Sequence, residues 1–472
     1  MQPERAAADP VGVAQPPDAL PLDNATRIDR LIAAIDAVLT RQVNVILHHP
    51  AFRRLEASWR QLRMLTDQAR EEGQVIVRIL SASWKEVVHD SERAAEFDQS
   101  KLFGFIYSQE FDMPGGQPFG LIVADYEIAA GMNATYGTDD ITALENVAGV
   151  AAAAFAPIVF GASPQLLDVQ QFAELDRELD MAYLRNMETN VRWRRLRGNS
   201  DARFIGVTCP RVLVRTPYKA NDIARPDGFC FREEIAPDGS TLVWGNAAYA
   251  LAMVVMREFI TSGWFADIRG TRYADDAGGL VDMYPTVSFP TDRHGFASQP
   301  PVEIRLTNAQ EQMLSEFGLI PLMPLPYSVD LVFNTNQSLH LPPRYDSDIA
   351  DQNARIAAML QYVLCACRFA HYLKLIMREH VGEVSTVESL RSQLNQWLQQ
   401  YCIGNEDADS FTKARFPLRS AQIDVREVPG KPGVYACMMH LQPHFQLDDV
   451  TASFQLLADM NNKASAADGT PR

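Results

Sequence analysis

Two carboxylates, Asp125 and Glu127, close the apolar run FGLIVADYE and are the best-placed pair for acid–base work. Strand ends in α/β sheets host such groups, with one carboxyl donating a proton while the other accepts. Side chains two apart on a strand share a face. The pair could equally face solvent, cap a turn or meet an arginine, and general acid–base work would need a convergent partner. A second concentration is basic: Arg194, Arg195, Arg197, Arg203, Arg211 and Arg215. Guanidinium forks bind phosphate, and they also bridge carboxylates inside a domain or between subunits. Sparse aromatic interleaving and a formal charge of −16 favour bridging over nucleic-acid binding. The histidine clusters are His48-His49 and His440 with His444. A metal site would want a third ligand and supporting carboxylates. HHPAF reads as a helix start, with His48 capping and His49 solvated. His440 and His444 flank Pro443 and read as residues of a strand end. No GxSxG, Walker A or GxGxxG pattern occurs. The residues point to no catalytic centre, cofactor or metal.

The chain has 472 residues, enough for two or three domains, with 47% hydrophobic and 22% charged residues. An acidic surface favours solubility or a partner with a basic patch. The six cysteines, Cys209, Cys230, Cys365, Cys367, Cys402 and Cys437, fit neither a zinc knuckle nor a redox pair. A reducing compartment is the simplest reading. The N-terminal stretch has no apolar core of signal-peptide length. No uninterrupted apolar run reaches the roughly 18 residues of a membrane span. The expected location is the cytoplasm, without membrane insertion.

Five regions follow along the chain. Residues 1–22 are rich in Pro, Ala and Asp and read as a disordered tail. Residues 23–70 read as two amphipathic helices separated by a short extended stretch, Val43 to Leu47. Their stripes are Ile28, Leu31, Ile32, Ile35, Val38, Leu39 and then Phe52, Leu55, Trp59, Leu62, Leu65. No core segment lies near them in sequence, so they need a cover from elsewhere. Residues 71–340 form a central α/β region, as one body or two subdomains. VIVRIL (Val75 to Leu80) and FGLIVADY read as strands, and VEIRL joins a later αβ unit. Helices are expected at Asp140 to Ala156, Glu174 to Glu188 and Asn246 to Thr261. A capping box at Thr307 and Gln310 opens another. Residues 341–460 carry one long helix, Ser347 to Gly382, and a helix capped by Ser385 and Glu388. A hairpin follows around Pro429 to Gly433, then a strand near Ala452 to Leu457. Residues 461–472 read as a flexible tail. The class is α/β, mixed with α+β features.

Several long segments fall in an order that is more specific than any one of them. They include HHPAFRRLEASWRQLRML, QSKLFGFIYSQEF, the GG-x-PFG turn at Gly115 to Gly120 and DARFIGVTCPRVLVRTPY. GFCFREE, LVWGNAAYALA, FGLIPL, ARIAAMLQYVLCACRFAHYLKLIMREHVG, KARFPL, VPGKPGVY and LQPHFQLDDV follow. Together they resemble the large subunit of the type VI secretion contractile sheath, the TssC/VipB family. The resemblance covers nearly the whole chain after residue 25. Two positions depart from the family pattern: Gln61 and Ala124 stand where glycine is usual.

The resemblance implies a multi-domain structural protomer that pairs one-to-one with a small sheath subunit of the TssB/VipA type. Such pairs stack into a tube around an inner tube of Hcp, and contraction expels the inner tube. Further implied partners are neighbouring copies, the baseplate, and a ClpV-type disassembling ATPase acting through the small subunit. On this basis the helical segment is expected to meet the small subunit through Ile28, Leu31, Ile35, Leu55, Trp59 and Leu62. The terminal strands are expected to lace copies together through Val425 and Tyr435. The competing reading is a cytosolic α/β enzyme, hydrolytic or nucleotide-dependent, using Asp125 and Glu127 or the Arg194–Arg215 cluster.

Overall fold

The computed structural model describes residues 23–176, 188–219, 229, 231–272, 275–287, 299–326, 328–379, 387–405, 408–427, 435–444 and 454–459. The chain divides into two units, Met1–Phe52 with Pro217–Thr241, and Arg53–Thr216 with Leu242–Arg472.

The first unit contains helix α1 (Asn24–Leu47). The stretch expected to be extended, Val43 to Leu47, is instead its last turn. Nothing breaks the helix until Pro50, which disfavours helical geometry in the residue before it. His48 therefore closes α1 at its C-terminal end rather than opening the next helix. Asn44 is buried, and its Oδ1 accepts the Glu234 N–H at 3.4 Å. His48 Nε2 lies 3.3 Å from Glu233 Oε1, and Glu233 Oε2 accepts the Tyr218 N–H at 3.0 Å. These polar contacts fix the C-terminal turn, while the apolar residues along α1 stay outside.

Helix α2 (Pro50–Glu72) leads into the larger unit. Its inward stripe is Ala57, Gln61, Leu65 and Ala69, all buried and spaced four apart. Gln61 occupies the family's usual glycine position and is fully buried there. Its Nε2 donates to the Asn246 carbonyl at 2.9 Å and to the Tyr284 hydroxyl at 3.1 Å. Its Oε1 accepts the Asn246 N–H at 3.0 Å. The amide thus satisfies backbone groups that would otherwise be buried without partners.

Helix α3 (Trp84–Arg93) opens on a capping box formed by Ser83 and Glu86. Beyond it lies a parallel sheet of four strands: β1 (Ile122–Ile128), β2 (Ile158–Ala162), β3 (Ile205–Cys209) and β4 (Ile320–Pro321), paired in that order. Strands β2 and β3 are buried along their whole length, which explains their unbroken apolar sequence. Ile158 and Phe160 face a core with Trp84, α4 (Asp140–Ala154) and Trp193 of α5 (Glu188–Gly198). Val159 faces the opposite core, built on α6 (Ala247–Ser262), Leu65 and Ala69. Asn246 caps α6 by accepting the Ala248 N–H at 2.9 Å. The Thr307–Gln310 capping box forms as expected, at the start of the helix Asn308–Glu316.

Three expected elements differ. VIVRIL lies extended between α2 and α3 but joins no sheet. VEIRL makes only a single bridge, Val302 to Val212. The long helix from Ser347 is two, α7 (Asp348–Ala357) and α8 (Leu360–Glu379). The break has a cause: the Ala358 carbonyl takes the Ser338 N–H at 3.0 Å, outside any helical ladder. The expected helix around Glu174 to Glu188 falls largely outside the described residues, as do Gly382 and Ser385.

Helix α9 (Val387–Gln399) packs on an antiparallel sheet of β5 (Leu418–Glu427), β6 (Tyr435–Pro443) and β7 (Phe454–Asp459). The hairpin is as expected, and its turn lies outside the described residues. The core here gathers Phe369, Leu373, Leu394, Leu398, Ile423, Met439 and Leu441. Among the described residues, no single helix is long and apolar enough to cross a membrane.

Candidate subunit interfaces

The structure gives each of the sequence's chemical candidates a packing partner. Asp125 and Glu127 sit within β1, where the register against β2 shifts between Val123 and Glu127. That irregularity gives the two carboxylates separate neighbours. Asp125 accepts a short hydrogen bond from the Ser58 hydroxyl of α2. Burial pushes its carboxyl above the ordinary aspartate range, with the Ser58 bond opposing the shift and the Glu127 charge adding to it. Glu127 receives both arms of Arg211, Nε at 2.6 Å and Nη2 at 2.7 Å. Glu303 lies 3.6 Å from the same guanidinium. Burial alone would lower Arg211, but the Glu127 carboxylate holds it above its ordinary value.

The arginine cluster disperses in the same way. Arg197 is buried, and its Nε donates to the Leu339 carbonyl at 3.0 Å. Arg203 donates to the Ser200 carbonyl at 3.0 Å, and Arg215 pairs with Glu56 at 2.6 Å. Only Arg194 and Arg195 of the six are exposed. These are forks tying elements together, not a convergent anion site. His444 is buried at the sheet end, where its N–H meets the Pro417 carbonyl at 3.1 Å. Among the described residues, no three His, Cys, Asp or Glu side chains converge as a metal centre requires. Cys209, Cys365, Cys367, Cys402 and Cys437 are free thiols, and burial pushes Cys209 up to about 12. Cys230 lies outside the described residues.

What remains unsatisfied is apolar surface. Ile28, Leu31 and Ile35 of α1 are exposed, together with Ile32, Val38 and Leu39. On α2 the buried stripe is rotated from the one read in the sequence. Leu55 is 56% exposed and Trp59 is 62% exposed. Leu62 instead packs, half-buried, against the core around α6. Large apolar side chains grouped like this mark interaction surfaces. Sequence reasoning missed a third group, Ile76, Ile79 and Leu80, because VIVRIL was assigned to the interior. Its signal was present: a strand-like run with no evident partner strand nearby.

At the other end of the chain, Val425 is buried in the sheet core opposite Cys437, and Tyr435 stands opposite Glu427. The outer edge of β5 is partly covered by α9. Asn395 donates to the Ile423 carbonyl at 2.9 Å and accepts its N–H at 2.9 Å. Gln399 donates to the Ala421 carbonyl at 2.8 Å. Backbone groups alternate sides along an antiparallel strand. Val425 and Glu427 therefore turn theirs to the same outer edge, beyond those two amides.

Two family models match the chain almost end to end. The EvpB/VC_A0108 tail sheath N-terminal domain matches residues 29–340, and the EvpB/VC_A0108 tail sheath gpW/gp25-like domain matches residues 349–460. The type VI secretion system sheath protein TssC1 of Pseudomonas aeruginosa is 35% identical over 443 residues, 93% of this chain and 87% of that one. A solved sheath tail protein from Desulfitobacterium hafniense shares 10% identity at a TM-score of 0.31, covering 69% of this chain and 61% of that one. A likeness of that size carries no argument.

Proposed function

The chain belongs to the EvpB/VipB tail sheath family of type VI secretion, and from that membership we propose how it works as a structural subunit of the contractile sheath. The observation that carries the role is the identity over nearly the full length of both chains. In this reading the chain pairs with a small sheath subunit of the TssB/VipA type. The exposed faces of α1 and α2 are the surfaces it covers. Pairs stack through the C-terminal strands into a cytoplasmic tube around Hcp, anchored on a baseplate. A ClpV-type ATPase recycles contracted sheath through the small subunit. Nucleic acid and membrane insertion have no part in it.

Contraction of this kind needs two packings of the same subunits, not a reaction. The carboxylates and arginines of the central sheet then serve as internal ties. Expressed alone, the full chain should aggregate, and co-expression with the small sheath subunit should bring it into the soluble fraction. A monodisperse monomer in the absence of that partner would overturn this account of α1 and α2.

Asp125 provides a check on the absence of turnover. Asp125→Asn keeps an acceptor for Ser58 and removes the charge. The wild-type carboxyl holds its proton more tightly in the folded state than in the unfolded chain. The stability this contributes is complete below the unfolded value and is lost as pH rises through the raised folded value. The asparagine variant should therefore gain on wild type in thermal melts as pH rises from about 4 to 7. Its tubes should form and contract normally. Normal assembly with loss of secretion would point to chemistry at this residue and against a purely structural role.

A further inference from the structure

We propose that the extended segment between α2 and α3, residues 74–82, is a docking edge that takes a β-strand from the small sheath subunit. The inference rests on the sheath reading above. It starts from a mismatch. The segment Gln74-Val75-Ile76-Val77-Arg78-Ile79-Leu80 has strong strand chemistry, with branched and apolar side chains throughout. It is extended, yet it belongs to no sheet. Among the described residues, no backbone N–H or C=O of residues 74–81 meets a partner within the chain. The Ala82 carbonyl takes only the Tyr126 hydroxyl, at 2.6 Å.

Side chains nevertheless hold the segment in place. Val75 and Val77 are half-buried against the core of α2 and α6. Arg78 is clamped by Glu110, by Gln117 Oε1 at 3.0 Å, and over the Phe119 ring at 5.8 Å. The backbone is thus fixed in the conformation of a strand while its hydrogen-bonding groups stay open. Ile76, Ile79 and Leu80 are 69%, 64% and 56% exposed beside them. A pre-ordered open edge with adjacent apolar side chains is what strand addition requires. Left uncovered, it invites uncontrolled pairing.

The occupant is a different polypeptide rather than a second copy. Pairing this segment with itself would be two-fold symmetric and would close a dimer. A sheath must stack with one direction. The segment also continues directly from α2, whose exposed Leu55 and Trp59 are assigned to the small subunit. Both faces of the edge are apolar apart from Arg78. The incoming strand should therefore be apolar on both faces and carry no Lys or Arg opposite Arg78.

Hydrogen–deuterium exchange on the co-expressed full-length pair, before and after tube assembly, tests this. Amides of residues 74–82 should exchange about 100-fold or more slowly in the unassembled pair than an open strand allows. Ile79→Pro and Leu80→Pro supply a second readout. Alternate residues donate to opposite edges, and neither N–H has a partner within the chain. At least one of the two should cut retention of the small subunit about tenfold with the chain still folded. Co-purification with fast exchange across 74–82 overturns this proposal and leaves the sheath reading standing. Protection that appears only in assembled tubes assigns the edge to another copy and also overturns it. Failure to co-purify at all overturns the pairing itself, and this proposal with it.

Discussion

Val425→Pro, co-expressed with the small sheath subunit, is expected to yield a soluble heterodimer and no tubes. The reasoning follows the parity of β5. Asn395 and Gln399 of α9 take the outward backbone groups at Ile423 and Ala421. Val425 points its N–H to the same side, where α9 supplies no amide. Proline there removes an outward donor while the ladder to β6 uses the neighbouring residues. Edge positions are where a strand tolerates proline, so the subunit should still fold. Val425→Ala is the control, since Val425 is also a buried core residue. It loses roughly 1.5 kcal/mol of apolar burial at about 0.8 per methylene-sized group but keeps the donor. Tube yield by electron microscopy should fall at least about tenfold for proline and far less for alanine. Normal tubes from the proline variant would remove β5 from the lacing. Loss of the heterodimer would show that the two interfaces cannot be separated.

The second large effect is expected at Trp59. Its side chain is 62% exposed on α2, on the opposite side from the buried stripe of Ala57, Gln61 and Leu65. Trp59→Asp should therefore leave the subunit's own core untouched. If the small subunit covers this face, the change forfeits roughly 1.5–3 kcal/mol of burial and places a charge in an apolar contact. Affinity should fall by roughly 10- to 150-fold. Pull-down of the small subunit from co-expressing cells measures it, with near-normal far-ultraviolet dichroism as the control for folding. Full retention of the partner would move the interface off α2. Leu62 is the wrong residue for this test, because it packs inward and its loss would perturb the core.

Legibility followed the range of the interactions. Local signals were readable: the Asn246 cap of α6, the Thr307–Gln310 box and the terminal hairpin all form where the residues placed them. Buried strands announced themselves as unbroken apolar runs. Long-range partners were not readable. Nothing near Gln61 in sequence shows that Asn246 and Tyr284 need its amide. The Ser338 contact that breaks the helix at Ala358 is equally silent. The phase of α2 was misread because Leu62 and Leu65 fit either stripe, and the buried Ala57 and Gln61 are not residues that advertise a core. VIVRIL was read correctly as strand chemistry but assigned a partner within the chain. Composition specifies extended backbone, and it does not specify whose backbone pairs with it.

The central claim is that this chain builds a tube with a second, smaller subunit. Negative-stain electron microscopy of the full chain co-expressed with that subunit tests it most directly. The account predicts hollow, helically ordered tubes containing both chains in equal numbers. A discrete, soluble particle of this chain alone, with no tubes and no retained partner, would contradict it.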